Sequence, residues 1–194
     1  MTQRKPRLAR ATLILMLVGA TLGSALDAIH SHFGALSYTS PVFAKAAWWV
    51  PLLFCGAYAT GIFRLLLAWT EPPPPAWKVA LGMGLFIGAY WLTVAPWSGA
   101  IRSTLLIAIF AVAWAVCDRT WPGMLTAGVA AVGGPAVEIL LVRAGTFVHH
   151  EVLVLGIPGW LPLLYLTAAV GLGGLARWLA HGAPERWTAR GRGR

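Results

Sequence analysis

The sequence predicts an all-α integral membrane protein, a compact bundle of six transmembrane helices with short loops and both termini cytoplasmic. Three observations predict it. Hydrophobic residues make up 58% of the chain and charged residues 11%, whereas soluble domains carry about a quarter charged residues. Mean hydropathy is +0.71. The apolar residues also gather into six runs, each long enough, or nearly so, to cross a bilayer as a helix. No polar stretch is long enough to form a large aqueous domain, which excludes the soluble classes.

The expected organisation is a basic tail over 1–10, a membrane domain over 11–180 and a second basic tail over 181–194. The predicted spans are 11–28, 45–66, 78–96, 101–117, 121–142 and 157–179. The first run, "ATLILMLVGATLGSALDA", also resembles a signal peptide, whose cleavage would leave five helices. Its length and the lack of a clear A-x-A site favour a span. The second opens on "AAWWVPLLFCG" (46–56). Indoles such as Trp48 and Trp49 favour the headgroup layer, and Pro51 is tolerated in a first helical turn. "TEPPPPAW" (70–77) cannot be helical and predicts a stiff extended bridge before the third span. "CDRTWPG" (117–123) predicts a tight turn in which Thr120 caps the fifth helix and Pro122 enters its first turn. Within that helix, Gly133, Gly134 and Pro135 should kink or break the chain near mid-membrane. "GLGG" (171–174) thins the sixth helix. Gly19/Gly23 and Gly84/Gly88 have G-x-x-x-G spacing, read as internal packing.

Orientation follows from lysine and arginine placement. With the N-terminus inside, the inner face holds Arg4, Lys5, Arg7, Arg10, Arg64, Lys78, Arg119, Arg177, Arg186, Arg190, Arg192 and Arg194. The outer face keeps only Lys45, Arg102 and Arg143. The cell (inner) membrane is the expected location. The net charge of +9 then reads as contact with anionic headgroups, not nucleic acid. Cys55 and Cys117 lie in distant apolar runs and form neither a disulfide framework nor a zinc pattern.

A few residues break the rules of the bilayer. Glu138 lies about a turn from the outer surface, and an ionisable group there marks a functional candidate unless it snorkels or pairs with Arg143 or a histidine. Asp118 opposes the dipole at the end of the fourth helix while Arg119 suits it. The pair is a local ion pair or a partner-binding element. Asp27, His30 and His32 in one outer stretch, with His149, His150 and Glu151 in the other, could converge on a metal. That gives an alternative function, a membrane-embedded metal-dependent hydrolase, although no H-E-x-x-H or G-x-S-x-G accompanies it. A small transporter would use the broken fifth helix and Glu138, but no inverted repeat is visible.

Several motifs occur in a telling order: "AAWWVPLLFCG", "LFIGAY" (85–90), "WAVCDR" (114–119), "ILLVRAGTF" (139–147), "GWLPLL" (159–164) and "AAVGLGGLAR" (168–177). Over residues 45–180 the chain resembles the Insig family, six-helix membrane proteins of sterol regulation, and looks like a bacterial homologue. The resemblance implies a non-enzymatic protein that binds a lipid inside the membrane and holds a membrane partner. The family's oxysterol site uses a third-helix phenylalanine, a fourth-helix glutamine and a fourth-helix tryptophan. Phe86 and Trp114 match the first and third, while the glutamine position falls on Ile101. Asp118 matches the family aspartate implicated in partner binding, and a homo-oligomer, possible as a trimer, is also implied. Joined to the residue reading, this gives a lipid site of Trp48, Trp49, Pro51, Phe54, Phe86, Trp114 and Glu138, and a partner site of Asp118 and Arg119. The expected guest is an amphiphile, diacylglycerol-like or a sterol or hopanoid, with no cofactor or metal.

Overall fold

The computed structural model describes residues 4–56 and 58–182. The segments 1–3 and 183–194, which hold most of the expected C-terminal tail, lie outside them. Backbone amides in hydrocarbon have no water to bind, so apolar runs must close their hydrogen bonds within helices. The runs accordingly form α1 (Arg4–His32), α2 (Val50–Leu67), α4 (Gly99–Asp118), α5 (Trp121–Arg143) and α6 (Leu161–His181). Between α2 and α4 lies α3 (Ala76–Thr93). Among the described residues, the five other than α3 are long and apolar enough to cross a membrane. Helix α3 matches the third predicted span but carries Lys78, Tyr90 and two tryptophans among its 18 residues.

The bridge before α3 is extended as expected, Pro75 holding φ −63° and ψ 154°. The Thr120 hydroxyl accepts the Gly123 amide at 3.2 Å, capping α5 with Pro122 in its first turn. Both cysteines are free. The expected break in α5 does not occur. The helix runs unbroken through Pro135, and the glycine beside it makes room for a neighbour. A Cβ on Gly134 would fall within the Tyr165 ring of α6. Helix α1 also runs past its predicted end at residue 28, so Asp27, His30 and His32 sit on helix and not in a loop.

Helix α6 is the centre of the bundle. It touches α1, α2, α3, α4 and α5, and 61% of its most apolar stretch is buried against at most 25% in the other spans. Small residues allow this by letting backbones approach. A Cβ on Gly171 would come within 3.1 Å of the Gly82 carbonyl of α3, and one on Gly173 within 2.8 Å of the Arg64 side chain of α2. Gly84 and Gly88 do not pack inside: both are exposed, and a Cβ on either would meet nothing.

At the end of the bundle opposite the termini, Leu36–Tyr38 (β1) and Phe147–His149 (β2) pair antiparallel, Leu36 opposite His149 and Tyr38 opposite Phe147. This ribbon was not foreseen. It is the junction of two like halves, α1–β1–α2 and α5–β2–α6, whose matching residues stand a constant interval apart along the chain. Positive φ recurs at Gly34 and Gly145, at Ala44 and Leu155, and at Lys45 and Gly156. The isolated bridge Phe43–Ala46 recurs as Val154–Ile157. The two halves also exchange equivalent bonds, Thr39 N–H to the Thr146 carbonyl at 3.1 Å and His150 N–H to the Ala35 carbonyl at 3.0 Å. Trp49 and Trp160 precede the first residues of α2 and α6, each with proline in the opening turn. The two W-x-P motifs are therefore copies of one helix start. Both halves run in the same direction, so this is a parallel repeat and not an inverted one.

Candidate lipid-binding cavity

Between the halves lies an apolar cavity with two lobes. The larger, about 470 Å³, runs between α2 and α5. The smaller, about 80 Å³, runs between α1 and α6 and is closed off by Met83, Phe86 and Tyr90 of α3. Asp27, Phe54, Glu138 and Tyr165 line both. The larger volume falls within the range of about 300–1,000 Å³ common for small-molecule sites. Phe63, Val129 and Val137 line that lobe and are also 38%, 48% and 44% exposed on the outside of the bundle. The lobe therefore opens sideways between apolar helices, where an acyl chain could enter.

The polar atoms gather at the ribbon end. The Tyr38 phenol donates to Asp27 Oδ2 at 2.7 Å. Burial, reinforced by the Asp27 carboxylate, pushes that phenol above its ordinary range, so it keeps its proton and acts as the donor. Tyr165 donates to Glu138 Oε1 at 2.7 Å, and His149 Nε2 lies 2.9 Å from Glu138 Oε2. His30 stacks on Tyr90 and shares a 2.7 Å bond with the Thr93 hydroxyl. Because that hydroxyl donates to the Tyr90 carbonyl at 2.6 Å, His30 Nε2 is the donor.

The sequence candidates divide on this geometry. Phe54, Phe86 and Glu138 line the cavity. Trp48, Trp49, Pro51 and Trp114 are not among its walls. Trp48 and Pro51 are exposed, Trp49 packs edge-on to Tyr38, and Trp114 lies at the opposite end of the bundle, its indole donating to the Thr120 carbonyl at 3.3 Å. Asp27 and Tyr165 are among the cavity residues that sequence reasoning missed. For Asp27 the signal was present, since it is an ionisable group in the last turns of an apolar run, as Glu138 is.

The outer histidines and carboxylates do not converge. Asp27 is held by Tyr38, His30 by Thr93, His149 by Glu138 and His150 by Ser37. His32 packs edge-on against Phe33, and Glu151 pairs with Arg102. Among the described residues no three His, Cys, Asp or Glu come together as a metal site. The hydrolase alternative thus loses its ligand set.

At the termini end, Asp118 is the hub of a buried ion network. Arg64, wholly buried, donates through Nε and Nη2 to its two oxygens at 3.1 and 3.0 Å. Arg177 Nη1 lies 3.4 Å from Oδ1, and Thr120 Oγ1 donates to Oδ1 at 2.6 Å. Glu71 balances the second cation, 2.5 Å from Arg64 and 3.5 Å from Arg177. Arg177 also donates to the Pro72 carbonyl at 2.6 Å, which ties the polyproline bridge to α6. The Asp118 side chain is 4% exposed, turned inward, whereas Arg119 is exposed at a left-handed turn of φ 54°. Thr120 serves both the cap and the network. Thr120→Ala should cost about 1–2 kcal/mol, and Thr120→Ser should restore most of it, read by thermal unfolding in detergent.

The fold and site define a class: an apolar helical bundle enclosing a laterally open cavity with carboxyl groups at one end. No protein-family model matches the chain. It is 32% identical over 145 residues to the INSIG protein homolog of Mycolicibacterium vanbaalenii, covering 71% of this chain and 70% of that protein. It is 23% identical to the insulin-induced gene 1 protein of Gallus gallus, over 95% of this chain and 78% of that one. A crystal structure of the mycobacterial Insig homolog superposes with a TM-score of 0.79 at 27% identity, over 86% of this chain and 92% of that one. A cross-linked trimer of that homolog gives a TM-score of 0.80 at 27% identity, over 87% of this chain and 93% of that one. The chain belongs to the Insig family.

Proposed function

We propose that this protein is a non-enzymatic lipid-binding protein that holds a neutral amphiphile in the cavity and regulates a membrane partner. A diacylglycerol-like lipid fits the site best, with a sterol or hopanoid as the other candidates. One observation carries the reading: a space of about 470 Å³, apolar along its length, open to the side and headed by Asp27 and Glu138. Six crossings of the cell (inner) membrane with both termini cytoplasmic accord with the lysine and arginine placement. The trimer of the mycobacterial homolog supports a homo-oligomer here, and the exposed Arg119 beside the Asp118 network is the surface offered to a partner.

Gly133→Phe tests the reading. Gly133 lines the larger lobe, and a Cβ there would meet nothing within 4 Å, so a side chain can start from this position into the mouth. Lipid extracted from the purified variant should fall by about tenfold, equivalent to about 1.4 kcal/mol of binding, with unfolding temperature unchanged or raised. Wild-type protein that carries no lipid after mild purification would refute it.

A further inference from the structure

The two lobes are copies of one site, and that duplication says which head group they read. Asp27 in the first half stands where Glu138 stands in the second, Phe54 where Tyr165 stands, and Gly23 where Gly134 stands. The correspondence extends to contacts. A Cβ on Gly23 would strike the Phe54 ring as one on Gly134 would strike Tyr165. Asp27 takes its hydrogen bond from Tyr38 of β1, and Glu138 is bonded to His149, the matching residue of β2. Each half therefore brings a carboxyl group, fixed by its own strand, to the shared end of both lobes.

This end is rich in acceptors. Asp27 is 6% exposed and accepts only at Oδ2. That leaves Oδ1, on a side chain lining both lobes, without a hydrogen-bond partner among the described residues. His30, which lines the smaller lobe, spends its Nε2 proton on Thr93. No lysine or arginine lines either lobe among the described residues. An acceptor that faces the cavity is best matched by a ligand that brings a donor, and an anion placed there would face like charge in a low dielectric.

We propose that Asp27 and Glu138 act as an equivalent pair that selects the guest by its head. An alcohol or ammonium group that donates hydrogen bonds is accepted, and a carboxylate or phosphate on the same chains is refused. The proposal rests on the lipid-cavity reading but goes further, because that reading alone makes no distinction among heads on identical chains.

The test uses matched probes on the full chain in detergent: 1,2-dioleoylglycerol against dioleoyl phosphatidic acid, and oleylamine against oleic acid. Cavity binding is the part that Gly133→Phe removes, which discounts anionic lipid held by the basic surface. Dioleoylglycerol and oleylamine should each outbind their acidic counterparts by at least about tenfold. Asp27→Asn and Glu138→Gln should each narrow that ratio to a similar extent, and the double variant should narrow it further. Wild-type protein that takes both acidic probes as well as the neutral ones overturns the proposal while leaving the cavity reading intact. The same holds if both single variants keep the full ratio. A protein that holds none of the four overturns the cavity reading, and this proposal with it.

Discussion

Asp118→Ala should destabilise the protein by about 3–5 kcal/mol, the usual cost of deleting one partner of a buried ion network. The carboxylate is the shared acceptor of Arg64, Arg177 and Thr120. Without it, a guanidinium with no exposed surface keeps only Glu71 and the Thr120 hydroxyl. Glu71 is 24% exposed, so water already screens part of its charge, and Glu71→Ala should cost less. Asp118→Asn should fall between, because it keeps the shape and one acceptor but loses the charge. Thermal or denaturant unfolding of the three variants in one detergent orders them. An Asp118→Ala protein as stable as wild type would mean that the network forms no part of the folding energy. If a partner-binding defect accompanies Asp118→Ala, the geometry assigns it to a disturbed α4–α5 turn and polyproline bridge, since the carboxylate is turned inward.

Gly19→Ala is the second large effect expected. A Cβ at this position of α1 would sit on the Phe54 carbonyl, with Cys55 Cα 3.5 Å away. Both groups are backbone, so no rotamer can relieve the clash and the two helices must part. Overpacking costs about 1–3 kcal/mol, and this rigid contact belongs near the top of that range. Parting α1 from α2 would also shift Phe54, so lipid retention should fall together with stability. Gly84→Ala is the control, since a Cβ there meets open space and the exchange should be neutral or slightly favourable. Equal unfolding temperatures for the two variants would show that α1 and α2 do not meet as closely as described.

The helices were legible because apolar runs must close their hydrogen bonds within helices, and all but α3 are long and apolar enough to cross a membrane. The starts of α2 and α6 were placed early, at residues 45 and 157, although Pro51 does fall in the first turn of α2 as expected. What stayed hidden depends on three-dimensional pairing. Gly133–Gly134–Pro135 reads as a breaker in isolation, yet Tyr165 lies in the notch it leaves. Asp27 was grouped with the histidines because they are near in sequence, whereas its partner is Tyr38 of the ribbon. The repeat escaped because its halves match by role more than by identity. Aspartate answers glutamate, phenylalanine answers tyrosine, and a phenol answers an imidazole. Asp118 was correctly singled out as opposing its helix dipole, but the two arginines that justify it come from α2 and α6, far away in the chain.

The placement of α6 bears on biogenesis. Synthesis runs from the N-terminus, so the rod that the other described helices lean on leaves the ribosome after all of them. Until then Arg64 and Asp118 await Arg177. Assembly dominated by such distant contacts is slow, and its incomplete stages expose surfaces that invite wrong association. Newly made chains halted before Leu161 should therefore be clients for membrane quality control, and maturation should become abrupt once the last span is inserted.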